Sequence, residues 1–121
     1  MPDTPKFEKS PLELVERFAA TLDRLPGAEI AQRRKMFGYP CALVGGNMTT
    51  GLFADHWWVR VSPEDAATLV SLGSIGSFEV RPGRAMRGYT VLPPAVVDDD
   101  AAVAEWVERA ITYAASLPPK K

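Results

Sequence analysis

The sequence predicts an α+β domain: an antiparallel sheet of about five or six strands with N- and C-terminal helices packed on one face, in the order α-β-β-β-β-α-β-β-α. Three observations predict it. Apolar residues recur at helical spacing near both ends of the chain, from Leu12 to Leu25 and from Val103 to Leu117. Between Arg33 and Val61 short apolar segments are broken by Gly and Asn, the pattern of strands and tight turns. These segments follow one another without intervening helices, which is antiparallel connectivity and not βαβ.

The first helix is expected over 11–25. Ser10 is placed to cap it, Pro11 suits its first position, Glu13 completes a capping box, and Pro26-Gly27 stops it. Strands follow near 32–37, 41–44, 48–54 and 57–61, with Gly45-Gly46-Asn47 supplying positive-φ residues for one turn. Asp55-His56 is read as a two-residue hairpin connection, setting Ala54 opposite Trp57, Phe53 opposite Trp58, Leu52 opposite Val59 and Gly51 opposite Arg60. Alternation then sorts Met48, Leu52, Ala54, Trp57, Val59 and Val61 onto a core face and Phe53, Trp58 and Arg60 onto the opposite one. Ser62-Pro63-Glu64 opens a short helix over 63–72, ended by Gly73. Phe78–Val80 and Gly88–Leu92 are two further strands around a Pro82-Gly83 turn, and Pro93-Pro94 closes the sheet. Asp98-Asp99-Asp100 then meets the positive end of the last helix, whose core stripe is Val103, Trp106, Val107, Ala110, Ile111, Ala114 and Leu117.

The 121 residues fit one domain over 11–118, with 1–10 an N-terminal tail and 119–121 a C-terminal one. Apolar runs such as Cys41–Val44 fall far short of the roughly 18–20 residues of a membrane span, so no membrane partner is expected. The N-terminus has no apolar core of a secretory signal, and the single cysteine fits a reducing cytoplasm. His56 sits at a turn with nothing nearby in sequence to orient it as a base. Cys41 lies in an apolar context that suits a buried, inert thiol. With one His and one Cys, no metal site, catalytic residue or cofactor is expected. No glycine-rich phosphate loop precedes a helix.

Charge is unevenly distributed. Residues 33–87 carry seven basic and four acidic side chains, while the segments on either side are net acidic. Arg33-Arg34-Lys35 is the densest cluster, and Arg81, Arg84 and Arg87 recur at every third position. These six are the candidate anion-binding residues. A pI near 5.8 argues against duplex binding, which recruits many phosphate contacts, and pairing with the acidic helices accounts for the arrangement equally well. The second sheet face offers another surface: Phe53, Trp58 and Arg60 are the candidate interaction residues, because aromatics with Arg are enriched at contact hot spots.

Several stretches together resemble the TfoX N-terminal domain family (Sxy-type). They are Arg34-Lys35-Met36-Phe37-Gly38, Gly46-Asn47-Met48, and Trp57–Val61 with Ser62-Pro63-Glu64. Further on come Pro82-Gly83-Arg84-Ala85-Met86-Arg87, Tyr89-Thr90-Val91-Leu92-Pro93, Trp106-Val107 through Ala110, and Tyr113-Ala114-Ala115. The resemblance spans about 12–117 and implies a small α+β domain of secretion-chaperone-like architecture with no catalytic residues to carry over. In full-length regulators of the family the domain is joined to a C-terminal helical domain, and the pair promotes competence-gene transcription. A stand-alone member is expected here, since the last helix ends at Pro118. The expected function is a non-enzymatic cytoplasmic interaction or regulatory module working by self-association or with a protein partner. The alternative is binding of nucleic acid or an anionic ligand through the basic residues. An enzyme would need a deep pocket gathering Tyr89, Arg87 and a carboxylate.

Overall fold

A computed structural model describes residues 10–36, 38–81, 83–85 and 88–118; within 79–81 and 84–85 it describes the backbone. The elements are α1 (Leu12–Arg24), a 3₁₀ turn (Ala28–Ile30), β1 (Gln32–Met36), β2 (Tyr39–Val44), β3 (Asn47–Phe53), β4 (His56–Arg60), α2 (Pro63–Ser71), β5 (Glu79–Arg81), β6 (Arg84–Ala85), β7 (Tyr89–Val91), α3 (Pro94–Val97) and α4 (Asp100–Ser116). β1, β2, β3, β4 and β7 form one antiparallel sheet in that spatial order, and β5 and β6 form a separate ribbon. The expected α+β class holds.

Local chemistry explains most of the boundaries. Ser62 caps α2 by accepting from the Asp65 N–H, with Pro63 at the first helical position. Asp99 caps α4 by accepting from Ala101 and Ala102. Gly45 and Gly46, at φ 59° and 82°, make the two-residue turn between β2 and β3. Ser10 departs from expectation. It does not cap α1; its hydroxyl donates to the Ala54 carbonyl at 2.6 Å, tying the start of α1 to the β3–β4 turn.

The β3–β4 hairpin is offset from the expected register. Phe53 pairs with His56, Leu52 with Trp57, Gly51 with Trp58 and Thr50 with Val59, so the turn is Ala54-Asp55 and not Asp55-His56. Ala54 takes φ 52° there, a conformation that sequence rules reserve for Gly, Asn or Asp. The offset moves each partner by two residues and therefore keeps every side chain on its expected face. Met48 is the exception. Thr49 is an extra residue in β3 between the Thr50 and Met48 pairings, and this bulge sets Met48 opposite Leu43, out of the row holding Leu52.

Leu52, Trp57 and Val59 lie under the terminal helices, as expected: Phe18 of α1 meets Trp57 at 5.3 Å between ring centroids, and Val103, Val107 and Ala110 of α4 are fully buried. The opposite face is not open. Phe53 (9 % exposed) and Trp58 (0 %) are buried, and Arg60 is half-buried. Phe78 closes this side, with its ring 5.0 Å from Phe53 and 6.0 Å from Trp58, and Tyr89 meets Trp58 edge-on at 5.1 Å. The expected docking surface Phe53/Trp58/Arg60 is thus a second core layer. Phe78 does not join the sheet as a strand residue; it leaves the sheet plane and covers Trp58.

Candidate functional site

The sheet has two edges, and the chain treats them differently. At the β7 edge, the Val91 N–H donates to the Gly76 carbonyl at 2.8 Å and the Ser74 hydroxyl donates to the Val91 carbonyl at 2.5 Å. The segment after α2 therefore takes up the outward backbone groups of Val91 in β7. At the other edge, Gln32, Arg33, Arg34 and Lys35 are all exposed, and β1 pairs with β2 alone among the described residues.

Pro40 fixes which backbone groups of β1 point outward. It stands opposite Lys35 and has no N–H to give. In an antiparallel ladder bonded and non-bonded pairs alternate, so Lys35–Pro40 and Arg33–Ala42 are non-bonded pairs and Gln32, Arg34 and Met36 bond to β2. The N–H and C=O groups of Arg33 and Lys35 consequently face away from the sheet. Pro40 then turns its nitrogen toward β3, and it is tolerated inside β2, where sequence reasoning put a boundary, because the β2–β3 pairing begins only at Cys41.

The side chains of β1 divide between the faces. Arg33 lies on the helix side and pairs with Asp23 at the end of α1, at 2.6 Å with both groups exposed. Arg34 lies on the other side, across from Cys41. Cys41 is buried, and burial pushes its thiol pKa up, against the pull of the Arg34 charge. Arg33, Arg34 and Lys35 thus form one exposed cationic edge. Arg81 and Arg84 face each other in the β5–β6 ribbon by backbone pairing, and Arg87 lies outside the described residues.

The other candidates have local roles. Arg60 stacks its guanidinium over the Tyr89 ring at 5.7 Å, on the far side of the sheet from β1. Trp58 lies over Gly51, and its buried Nε1 has no hydrogen-bond partner among the described residues. His56 flanks the hairpin turn with Nδ1 3.7 Å from the Asp55 carboxylate, beside an open cleft lined by Ile75, Pro93, Pro94 and Asp98. Val70, Leu72 and Ile75, around half to two-thirds exposed, crown the end of α2 next to that cleft (52 %, 48 % and 68 %). Sequence reasoning missed this apolar ridge, although Val70 and Leu72 fall outside the stripe set by Leu69. Among the described residues no three His, Cys, Asp or Glu side chains cluster as metal ligands, and no helix is long and apolar enough to cross a membrane.

No curated protein and no solved structure matches the chain. The family model for the TfoX N-terminal domain matches residues 23–114, from the end of α1 through all seven strands and most of α4. An open cationic strand at one edge, a two-sided aromatic core and terminal helices on one face are therefore how this member builds the domain: the chain belongs to the TfoX N-terminal domain family.

Proposed function

We propose that the chain is a non-enzymatic cytoplasmic interaction module that works by contact with a partner protein. One observation carries the reading: among the described residues the segment after α2 takes up the outward groups of Val91 at the β7 edge, whereas β1 at the other edge pairs with β2 alone and turns the backbone bonding groups of two residues outward. An exposed strand is a pairing template that proteins cover or guard with charge, and the charge on β1 is all of one sign, which leaves it open to an acidic partner. The chemistry of the side chains supports the same view. Cys41 is held as a neutral thiol inside the core, which suits a structural cysteine in a reducing compartment.

The test is partner identification by proximity labelling in living cells, followed by reconstitution of a binary complex from two purified proteins. The expected result is a complex that forms without turnover of any small molecule. Failure of every labelled candidate to reconstitute would overturn the reading.

A second reading rests on the same cations. Arg33, Arg34 and Lys35 are exposed and consecutive, which favours an anionic ligand or nucleic acid. Low-salt binding of a single-stranded oligonucleotide, lost when all three residues are changed to Gln, would support it. No retention of oligonucleotide at low salt would remove it.

A further inference from the structure

We infer that β1 is a strand-addition site: an extended acidic segment of a partner protein pairs with its outer edge as a sixth strand. The inference rests on the interaction reading above and names its surface and the chemistry of its partner. Two features of β1 and one of the opposite edge carry it. Its outward N–H and C=O groups, from Arg33 and Lys35, are spaced as one rung-and-skip of an antiparallel or parallel ladder. The strand has neither a proline nor a bulge of its own, and the one edge-blunting device it does carry, a run of cationic side chains, repels like-charged strands and not acidic ones. At the opposite edge of the same sheet the outward groups of Val91 are already taken up by Ser74 and Gly76.

Charge selects the occupant. A second copy docking edge to edge would set one Arg33-Arg34-Lys35 run against another, and like charges directly across a strand pair repel. The same run attracts carboxylates on both faces of an incoming strand, with Arg33 and Lys35 on the helix side and Arg34 on the other. Arg33 already makes this type of contact, since the Asp23 carboxylate sits 2.6 Å from its guanidinium. That pair is exposed, so it exchanges readily for an incoming carboxylate. The edge that rejects itself therefore accepts an acidic strand, main chain supplying affinity and side chains the specificity.

The test uses a fluorescent peptide, Glu-Val-Glu-Val-Glu-Val-Glu, a control with its second and third valines replaced by proline, and a dT oligonucleotide. Lys35→Pro removes one outward N–H while leaving the Arg34–Cys41 and Met36–Tyr39 bonds untouched, and Lys35→Gln removes the charge alone. Anisotropy should show wild type binding the acidic peptide and not the proline control. Lys35→Pro should weaken binding roughly tenfold and Lys35→Gln roughly threefold, as expected for losing a hydrogen bond as well as a surface charge. Should Lys35→Pro not fold, amide exchange in wild type decides: the Arg33 and Lys35 N–H groups must become protected when peptide is added. Equal binding by the two Lys35 variants, equal binding of the proline control, or tighter binding of the oligonucleotide overturns the inference. A reconstituted partner complex indifferent to Lys35→Pro also overturns it while leaving the interaction reading intact. Absence of any partner sinks that reading, and the peptide result still judges the edge.

Discussion

The indole of Trp58 lies across Gly51, so close that a Cβ on Gly51 would stand 2.5 Å from Trp58 Cζ2 and 2.9 Å from the Cys41 Cβ. Gly51 pairs with both Cys41 and Trp58, so these three residues form one row across the sheet on the face that Phe78 covers. The glycine is there for space: without it the ring could not lie flat along the strand.

Gly51→Ala should therefore destabilise the fold by about 1–3 kcal/mol, the usual range for overpacking. Urea denaturation measures it. In a Trp58→Leu background the same substitution should cost less, because the nearer clash is gone. Some of the penalty should persist through Cys41. A fully additive double variant would mean that the ring does not occupy the place above Gly51.

The helix-side face is held by a polar relay inside the core. Trp57 Nε1 donates to Thr50 Oγ1 at 3.0 Å, and the Thr50 hydroxyl donates onward to the Trp58 carbonyl at 2.8 Å. Both residues are buried. Thr50→Val keeps the shape but strands the indole N–H, so it should cost about 1–3 kcal/mol. Trp57→Phe should be costly alone through lost volume, yet the two changes together should cost less than their sum. Additivity within about 0.3–0.5 kcal/mol would show that the relay does not couple them.

Cys41 should make the fold weaker at alkaline pH. Burial raises its thiol pKa in the folded chain, with the Arg34 charge pulling the other way. The folded state then binds the proton more tightly than the unfolded one. This contribution is complete below the ordinary thiol pKa of about 8.5 and declines as pH rises above it, by at most about 1.36 kcal/mol per pH unit. Urea midpoints of wild type and Cys41→Ala should run parallel at neutral pH and separate above it, with wild type falling faster. Parallel curves throughout would rule out a perturbed thiol.

The fold was legible where a residue type acts through local chemistry. Ser62-Pro63 and Asp99 start helices because of what their atoms do within four residues, and Gly45-Gly46 turns the chain for a reason internal to glycine. The facing of Trp57 against Trp58 was also readable, because a two-residue offset preserves alternation. What covers Trp58 was not. Phe78 belongs to a segment whose apolar run resembles a strand, and only tertiary packing sends its ring over the sheet. The candidate site followed the same division. Arg33, Arg34 and Lys35 were visible as a cluster, but that their strand is the open edge depends on strand order. Strand order is not a local property.

The hairpin register itself is open to a direct check. Ala54 occupies the first central position of the β3–β4 turn at φ 52°, where an L-residue with a Cβ is strained by roughly 1–2 kcal/mol. Glycine has no such penalty, though it loses more entropy on folding. Ala54→Gly should thus stabilise the protein by about 0.5–1 kcal/mol, in contrast to the loss it brings inside a strand. The Ser10 hydroxyl donates to the backbone carbonyl of residue 54, so the bond does not depend on the Ala54 side chain and survives the change. With the turn one residue later, at Asp55-His56, position 54 would be a strand residue and the substitution would destabilise by a similar amount. The sign of one urea midpoint shift distinguishes the two registers.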